Sequence, residues 1–266
     1  MQQLATLAQV KAWVPKLTSP DDEALLNSLI ARATGIIMAN ISRSNVAVRT
    51  VTETLDGQGS SGLLLREWPV VSISSLSVNA QVIAEAANAL VPGYVWSRWD
   101  GVLPGRPQSL AMRGRRFAVG SQNIAITYRA GYLAEEEVHT INAGQAITND
   151  YNGAWCSDQG VTYTDGTPLV RVTGAPGVGQ YQLGATPGIY NFNALDNNDN
   201  VLISYGYVPA PLGQACVQLV GEWYRYRGRI GQKSTSLDGK ETASFDNSML
   251  TDSIKMIIQP YRRVTL

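Results

Sequence analysis

The hydrophobic pattern at the start of the chain predicts two helices. A short helix begins after Thr6, whose hydroxyl can cap it, and ends at Pro15. A longer one begins at Ser19-Pro20, and three carboxylates follow in its first turn, where the positive end of the helix dipole favours them. The apolar positions of the longer helix recur at helical spacing on one face: Leu25, Leu26, Leu29, Ile30, Ala33, Ile36, Ile37 and Ile41. Such a face requires a packing partner.

Alternation of polar and apolar residues predicts strands after the second helix. Residues 51–55 and 63–65 flank a glycine-rich stretch, which predicts a hairpin with a glycine turn. Further strands are predicted at residues 71–78, 94–99 and 123–128.

Residues 133–207 have almost no helical periodicity and consist of short alternating runs separated by turn signals. Removing them joins Tyr132 to Val208, and the strand before the segment resembles the strand at its end. Surface junctions between elements tolerate such insertions. The pattern predicts a parent domain of residues 1–132 and 208–266, with residues 133–207 inserted as a small all-β module.

Two further helices are predicted after this segment. The first carries an apolar stripe of Leu212, Cys216, Leu219, Val220 and Trp223. The polar residues 229–247 are predicted to be a mobile loop before the last helix, which Pro260 ends. We hypothesise that residues 248–266 dock on another subunit through Leu250, Ile254, Ile257, Ile258, Tyr261, Arg262 and Arg263, because Tyr and Arg are enriched in interface hot spots. The alternative is that this helix packs back on its own core.

Charge is scarce and balanced, with 16% charged residues, 21 Lys and Arg, 21 Asp and Glu, and a net charge of +0. Proteins whose main task is to grip a phosphate backbone are usually basic, so nucleic-acid binding is disfavoured as a global property. Residues 98–116 nevertheless contain a cluster of arginines. We interpret Arg113, Arg115 and Arg116 either as an ordinary solvated loop or as a contact to DNA or an acidic partner.

No constellation of residues in the sequence points to catalysis. His139 follows three glutamates but has no identifiable nucleophile, which favours a surface histidine in an acidic loop. The glycine-rich stretches lack the Lys of a phosphate loop, and the two cysteines have no metal-ligand spacing. Residues 196–200 resemble half of a calcium loop, but Val201 and Tyr207 replace the required Gly and Glu. We expect no enzyme activity, metal or cofactor.

The sequence shows no apolar run long enough to span a bilayer and no basic-then-apolar signal peptide, so we expect a protein of the reducing cytosol.

Four segments together resemble the head-to-tail connector (adaptor) proteins of tailed bacteriophages in their order and approximate spacing. They are Asp21-Asp22 leading into Leu25 to Ala33, Thr52 to Gly57 running to Leu63-Leu64-Leu65 and Trp68-Pro69-Val70, Val208-Pro209 before Gln214 to Arg227, and Ile258-Gln259-Pro260-Tyr261-Arg262-Arg263-Val264. The resemblance covers about residues 4–132 and 208–266 and excludes the proposed insert, which looks like a β module of phage structural proteins.

This resemblance implies an α+β protein with a helical core and a long β-hairpin loop, to which the inserted small all-β domain is added. It implies a structural virion protein that forms a ring, commonly of twelve copies, below the portal protein. The ring extends the channel for double-stranded DNA, which passes without sequence-specific contact, and it offers a docking surface to the tail or stopper protein. Assembly would occur in the host cytoplasm, with no membrane partner, cofactor or turnover.

A second interpretation makes the protein a binding module whose insert recognises a carbohydrate or a receptor. Trp155, Tyr163, Tyr181 and Tyr190 would supply stacking faces, although tyrosines in strands also serve sheet packing.

Overall fold

The computed structural model describes residues 2–14, 20–96, 108–149, 153–226, 234–237, 241–244 and 250–263. The chain divides into two compact units. Met1–Ser44 and Pro209–Arg262 form the first, here called the helical unit, and Asn45–Val208 and Arg263–Leu266 form the second, here called the β unit.

The helices of the first unit begin and end close to the predicted positions. They are α1 (Leu7–Trp13), α2 (Pro20–Asn40), α3 (Ala210–Tyr226) and α4 (Asp252–Ile258), and a short 3-10 helix, Gln259–Tyr261, follows α4. The predicted cap of α1 is confirmed. The backbone N–H of Gln9 donates to Thr6 Oγ1 at 3.2 Å, and the Gln9 side chain accepts from the Thr6 N–H at 2.9 Å.

Helix α3 is in contact with α1, α2 and α4. The predicted stripes of α2 and α3 supply fully buried residues: Leu26, Ile30, Ala33, Ile37, Leu212, Cys216, Leu219 and Val220. Leu25, which was placed on the apolar face of α2, is instead exposed. Thr34 accepts a hydrogen bond from the Leu4 N–H at 3.2 Å, which fixes the segment before α1 against α2. The stability of α2 and α3 therefore comes from mutual burial of their apolar stripes.

The polar stretch before α4 is not a loop throughout. Strands β15 (Ser234–Leu237) and β16 (Glu241–Ser244) pair with each other in antiparallel register. The prediction of an unstructured loop is therefore wrong for these eight residues; the rest of that stretch lies outside the described residues.

The first half of the β unit consists of two sheets. Its strands are β1 (Arg49–Gly57), β2 (Gly62–Leu64), β3 (Val70–Val78), β4 (Gln81–Val82), β5 (Gly93–Trp96), β6 (Ser109–Arg113) and β7 (Gly120–Ala130). One sheet has the order β1-β7-β3-β4 and the other the order β2-β6-β5. Residues from both sheets form one hydrophobic core, including Leu55, Leu76, Leu110, Phe117, Ile124, Ile126 and Tyr128.

The predicted hairpin between residues 51–55 and 63–65 is wrong. Strand β1 pairs with β7, and β2 pairs with β6, so the glycine-rich connection joins two different sheets. Strand β7 offers β1 a partner along its whole length, whereas the short β2 could pair with only a few residues. Gly57 permits the crossing because a Cβ there would overlap the carbonyl group of Ala118.

Residues 133–209 form two further sheets. The strands are β8 (Leu133–Thr140), β9 (Gln145–Ile147), β10 (Gly153–Tyr163), β11 (Val170–Arg171), β12 (Gln180–Leu183), β13 (Ile189–Phe192) and β14 (Asn200–Pro209). Their sheets have the orders β10-β14-β8 and β11-β12-β13-β9. Among the described strands, these seven pair only with one another. Leu133 is paired with Gly206, so the chain enters and leaves this segment side by side.

The predicted fold class, a helical core with a long β-hairpin loop and a small β insert, is wrong. Strands contain 41% of the residues and helices 26%. Residues 49–130 are not a hairpin loop attached to a helical core. Their alternating buried side chains form a separate hydrophobic core between two sheets. The protein is predominantly β, with its described α-helices gathered in one unit. The boundaries of the inserted module at 133–207 stay a prediction.

The side-by-side ends of this segment generate a test of the insertion. Replacing residues 133–207 by a short Gly-Ser linker should leave the helices intact, because Tyr132 and Tyr207 already lie close enough for the Tyr207 N–H to donate to Tyr132 O at 3.1 Å. Circular dichroism and a cooperative melting transition are the measurements. A shortened chain that stays unfolded would contradict the insertion.

The burial of Cys216 generates a second prediction. Burial raises the pKa of its thiol to about 11, so at pH 8 about one thiol in a thousand would be ionised even if reagent could reach it. In the native chain a disulfide reagent should therefore label at most the half-buried Cys156, and a Cys156→Ser variant should not react until denaturant is added. Rapid labelling of that native variant would contradict the packing of α2 on α3.

Candidate functional site

The predicted C-terminal docking residues are divided between buried and accessible positions. Helix α4 packs on α3, and Ile254 and Ile258 are fully buried. Tyr261 is also buried, and burial raises the pKa of its hydroxyl. Leu250 and Ile257 are half-buried, whereas Arg262 is exposed. The apolar residues of this segment thus serve the packing of the helical unit, as in the alternative interpretation, and docking through the remainder stays a prediction.

Arg263 lies in an ion-pair network inside the β unit. Its Nη2 is 3.8 Å from Glu53 Oε1, and its Nε is 3.4 Å from Glu67 Oε1. Arg49 Nη2 approaches Glu67 Oε1 at 3.4 Å. The two glutamate side chains are only 6% and 7% exposed, so their charges need compensation by these guanidinium groups. Arg263, predicted to bind a partner, has its charge engaged within its own chain.

Tyr128 connects the two glutamates. Its hydroxyl donates to Glu53 Oε1 at 2.9 Å and accepts from the backbone N–H of Glu67 at 3.1 Å. Burial, and after it the negative charge of Glu53, raise the pKa of Tyr128, so the phenol stays neutral and remains a donor. Glu53, Glu67, Tyr128, Arg49 and Arg263 are called the glutamate cluster below.

Reasoning from the sequence missed this cluster, although one signal was present. Glu53 alternates with Val51 and Leu55 along β1, so the three side chains share one face of the strand. A carboxylate on an apolar face must have a buried partner. That partner could not be predicted from the sequence, because Arg263 is more than two hundred positions away from Glu53. Each residue of the cluster contacts another by a hydrogen bond or an ion pair, although Glu53 Oε2 accepts no hydrogen bond.

His139 was expected on the surface of an acidic loop, and that prediction is wrong. It lies on strand β8, with Nε2 at 2.8 Å from Glu137 Oε1 and a largely covered side chain. Glu137 Oε1 also accepts from the backbone and side-chain N–H groups of Asn149 at 3.0 and 2.8 Å, and Oε2 accepts from Tyr205 at 2.6 Å. Burial opposes ionisation of Glu137, but the bonds from Tyr205 and Asn149, together with His139, outweigh it and lower the pKa of Glu137.

The aromatic residues proposed to stack on a carbohydrate are largely internal. Tyr181 and Tyr190 are buried, their ring centroids lie 5.8 Å apart, and their hydroxyls donate to Asp158 at 2.8 and 3.3 Å. Trp155 Nε1 donates to the Tyr190 hydroxyl at 3.0 Å. Burial raises the pKa values of both tyrosines. Their rings therefore fill the interior of the segment, and only the half-buried Trp155 and Tyr163 retain accessible surface.

The basic residues after β6 lie at the surface. Arg115 and Arg116 are exposed, and Arg113 is half-buried at the end of the strand. Arg113 Nη1 donates to Asn88 O at 2.5 Å, and Arg116 Nη1 donates to Gly59 O at 3.4 Å. These bonds connect Arg113 and Arg116 to two neighbouring loops. Arg98 and Arg106 of the same stretch lie outside the described residues.

The calcium-like residues 196–200 do not form a group of three or more acidic side chains. Within the described ranges, no group of three or more His, Cys, Asp or Glu side chains is placed to hold an ion. Asp196 is buried, and its Oδ1 accepts from the Tyr163 hydroxyl at 3.3 Å.

Among the helices that the structure describes, none is long and apolar enough to cross a membrane.

No protein-family model matches the sequence, and no curated protein matches it.

The glutamate cluster generates a stability prediction. Arg263→Met would remove one of the cations that compensate two buried carboxylates, which should lower the free energy of unfolding by about 2 kcal/mol. This loss is smaller than for a fully buried ion pair, because the guanidinium of Arg263 is partly exposed. Urea unfolding followed by fluorescence measures the change. Arg262→Met, at the exposed neighbouring position, should change it by about 0.5 kcal/mol or less. Equal effects of the two substitutions would contradict the cluster.

Glu137 generates a pH prediction. Its pKa is lower in the folded chain than the ordinary 4.5, so its stabilising contribution is complete above that value and is lost as pH falls through the folded pKa. Glu137→Gln should therefore lower the melting temperature clearly at pH 7 and by less at pH 3. Glu135→Gln, at an exposed position of the same strand, should have little effect at either pH. A deficit in Glu137→Gln that is independent of pH would be inconsistent with the lowered pKa.

Proposed function

We propose that this chain is a structural subunit of a tailed bacteriophage virion, a head-to-tail adaptor. In this proposal, copies form a ring that joins the portal protein to the tail or its stopper protein and extends the channel for DNA. The protein would act by binding other subunits, with no chemical turnover.

The observation that carries the proposal is where the fold places the resembling segments. Three of the four, in α2, in α3 and at the end of α4, lie mainly in one compact helical unit, although more than 160 positions separate α2 from α3. Only their outermost residues, including Val208 and Arg263, belong to the β unit. The three segments are thus parts of one folded body, which a resemblance to a single family requires. The second segment lies in β1, β2 and the start of β3. The fold class that the resemblance also implied is wrong, so the proposal rests on these segments and not on the family's fold.

The surface supports a role in protein contacts. Large apolar side chains are exposed at several places in the described chain: Val82, Leu90, Val119, Leu195 and Met256. With only 16% charged residues, the chain has little charge to keep such surfaces apart. Depletion of charged residues is typical of the core of a protein–protein interface.

The balanced charge also suits a channel wall. Each phosphate neutralised by Lys or Arg adds to a salt-dependent affinity for DNA, and a strongly basic ring would hold the passing duplex. A chain with equal numbers of cations and anions can surround DNA with weak, non-specific contacts.

The proposal is tested by assembly of the purified full chain. Negative-stain microscopy and mass photometry should show closed rings, alone at high concentration or together with the portal protein of the virus that encodes the chain. Rings that sit on the portal, seen as end-on and side views of one complex, are the expected result. A chain that remains monomeric in both conditions and does not sediment with the portal would contradict the proposal.

A further inference from the structure

Three loops of the β unit converge into one basic and apolar surface. Residues 57–61, 86–92 and 114–119 meet there, since Arg113 bonds to Asn88, Arg116 bonds to Gly59, and a Cβ at Gly114 would touch Pro92. Leu90 is 93% exposed and Val119 80% exposed. Arg115 and Arg116 are exposed beside them, and the three loops contain no acidic residue. This is called the three-loop surface.

A second surface of the β unit has the opposite charge. Strand β8 lies at the edge of its sheet and exposes Glu135 and Glu136. Val138 on β8 is 62% exposed, and Ile147 on the nearby β9 is 60% exposed. Residues 133–149 contain no Lys or Arg, and His139 is paired with Glu137. Glu135, Glu136, Val138 and Ile147 are called the acidic edge.

We propose that the three-loop surface of one copy binds the acidic edge of the next copy, and that this contact closes the ring. The inference rests on the proposed function, because it names the interface by which that ring would form. Arg115 and Arg116 face Glu135 and Glu136 across the contact, and the exposed apolar side chains of both surfaces are covered together.

The chemistry of the two surfaces favours a second copy over DNA as the occupant. Phosphates need cations alone, whereas the three-loop surface exposes Leu90 and Val119, which only an apolar partner surface would cover. The acidic edge supplies that complement on the same chain, with two exposed carboxylates and two exposed aliphatic side chains. A ring requires two different, complementary surfaces on every subunit, and these two meet the requirement.

Reversing either charge should disrupt the ring. Arg115→Glu with Arg116→Glu makes both surfaces acidic, and Glu135→Arg with Glu136→Arg makes both basic. Each double variant alone should raise the concentration needed for half-assembly at least about tenfold, because like charges then face each other. Wild-type assembly should weaken as salt is raised.

Mixing the two double variants provides the decisive measurement. In an equimolar mixture, each acidic surface of one variant meets a basic surface of the other, so alternating rings should form to near wild-type extent. Mass photometry at matched total concentration measures the ring fraction. Arg32→Glu with Arg225→Glu, which changes the net charge as much as the arginine double variant does but at exposed sites of the helical unit, should assemble like wild type. Unchanged melting temperatures would show that the variants are folded.

The outcomes separate the interface from the function. Wild-type rings with both double variants assembling normally would overturn the interface and leave the adaptor role standing. A different result would be that only the arginine variant fails to assemble, that mixing does not rescue it, and that it no longer retains DNA on a filter. This result would assign the three-loop surface to DNA and would also overturn the proposed interface. A wild-type chain that never forms rings would contradict the proposed function and this interface together.

Discussion

Strand β7 is the element on which the β unit depends, because it is hydrogen-bonded along both edges. It pairs with β1 on one side and with β3 on the other, and its Ile124, Ile126 and Tyr128 enter the core between the two sheets. A central strand with a buried apolar face fixes the register of both neighbouring strands. If a neighbour slipped by one residue, all its apolar side chains would point to the wrong face of the sheet. Tyr128 then places its hydroxyl between Glu53 and Glu67, so the same strand organises the glutamate cluster.

The β unit repeatedly combines a covered carboxylate with a tyrosine hydroxyl. Such hydrogen bonds join Glu53 to Tyr128, Glu137 to Tyr205, Asp158 to Tyr181 and Tyr190, and Asp196 to Tyr163. A phenol can bury its ring among apolar side chains and still supply a strong donor, which makes it suited to carboxylates inside thin β layers. These pairs are directional, so they define which strand lies beside which in sheets too small to bury much apolar surface. The tyrosines that resembled a ligand-binding face are therefore part of the internal architecture.

The sequence predicted local elements well and long-range pairings poorly. The cap of α1 and the apolar stripes of α2 and α3 depend on residues within a few turns, and the structure confirms the cap and most of the stripe positions. The pairing of β1 depends on a competition between the nearby short strand β2 and the distant long strand β7. The local sequence pattern carries no information about the outcome of that competition. The same limit applies to the sites. The basic loop could be recognised as a run of arginines, but its proximity to Leu90 and the partners of Glu53 arise only from tertiary contacts.

The paired ends of residues 133–207 make this position a natural attachment point. Because Leu133 and Gly206 are neighbours in one sheet, a different domain whose own termini are close could replace the segment without stretching the chain. Variants of the protein could thus diverge in this module while retaining the rest of the subunit. In an assembled ring, a domain grafted at this junction would be displayed once per copy at a regular spacing, which would turn the subunit into a scaffold for multivalent presentation.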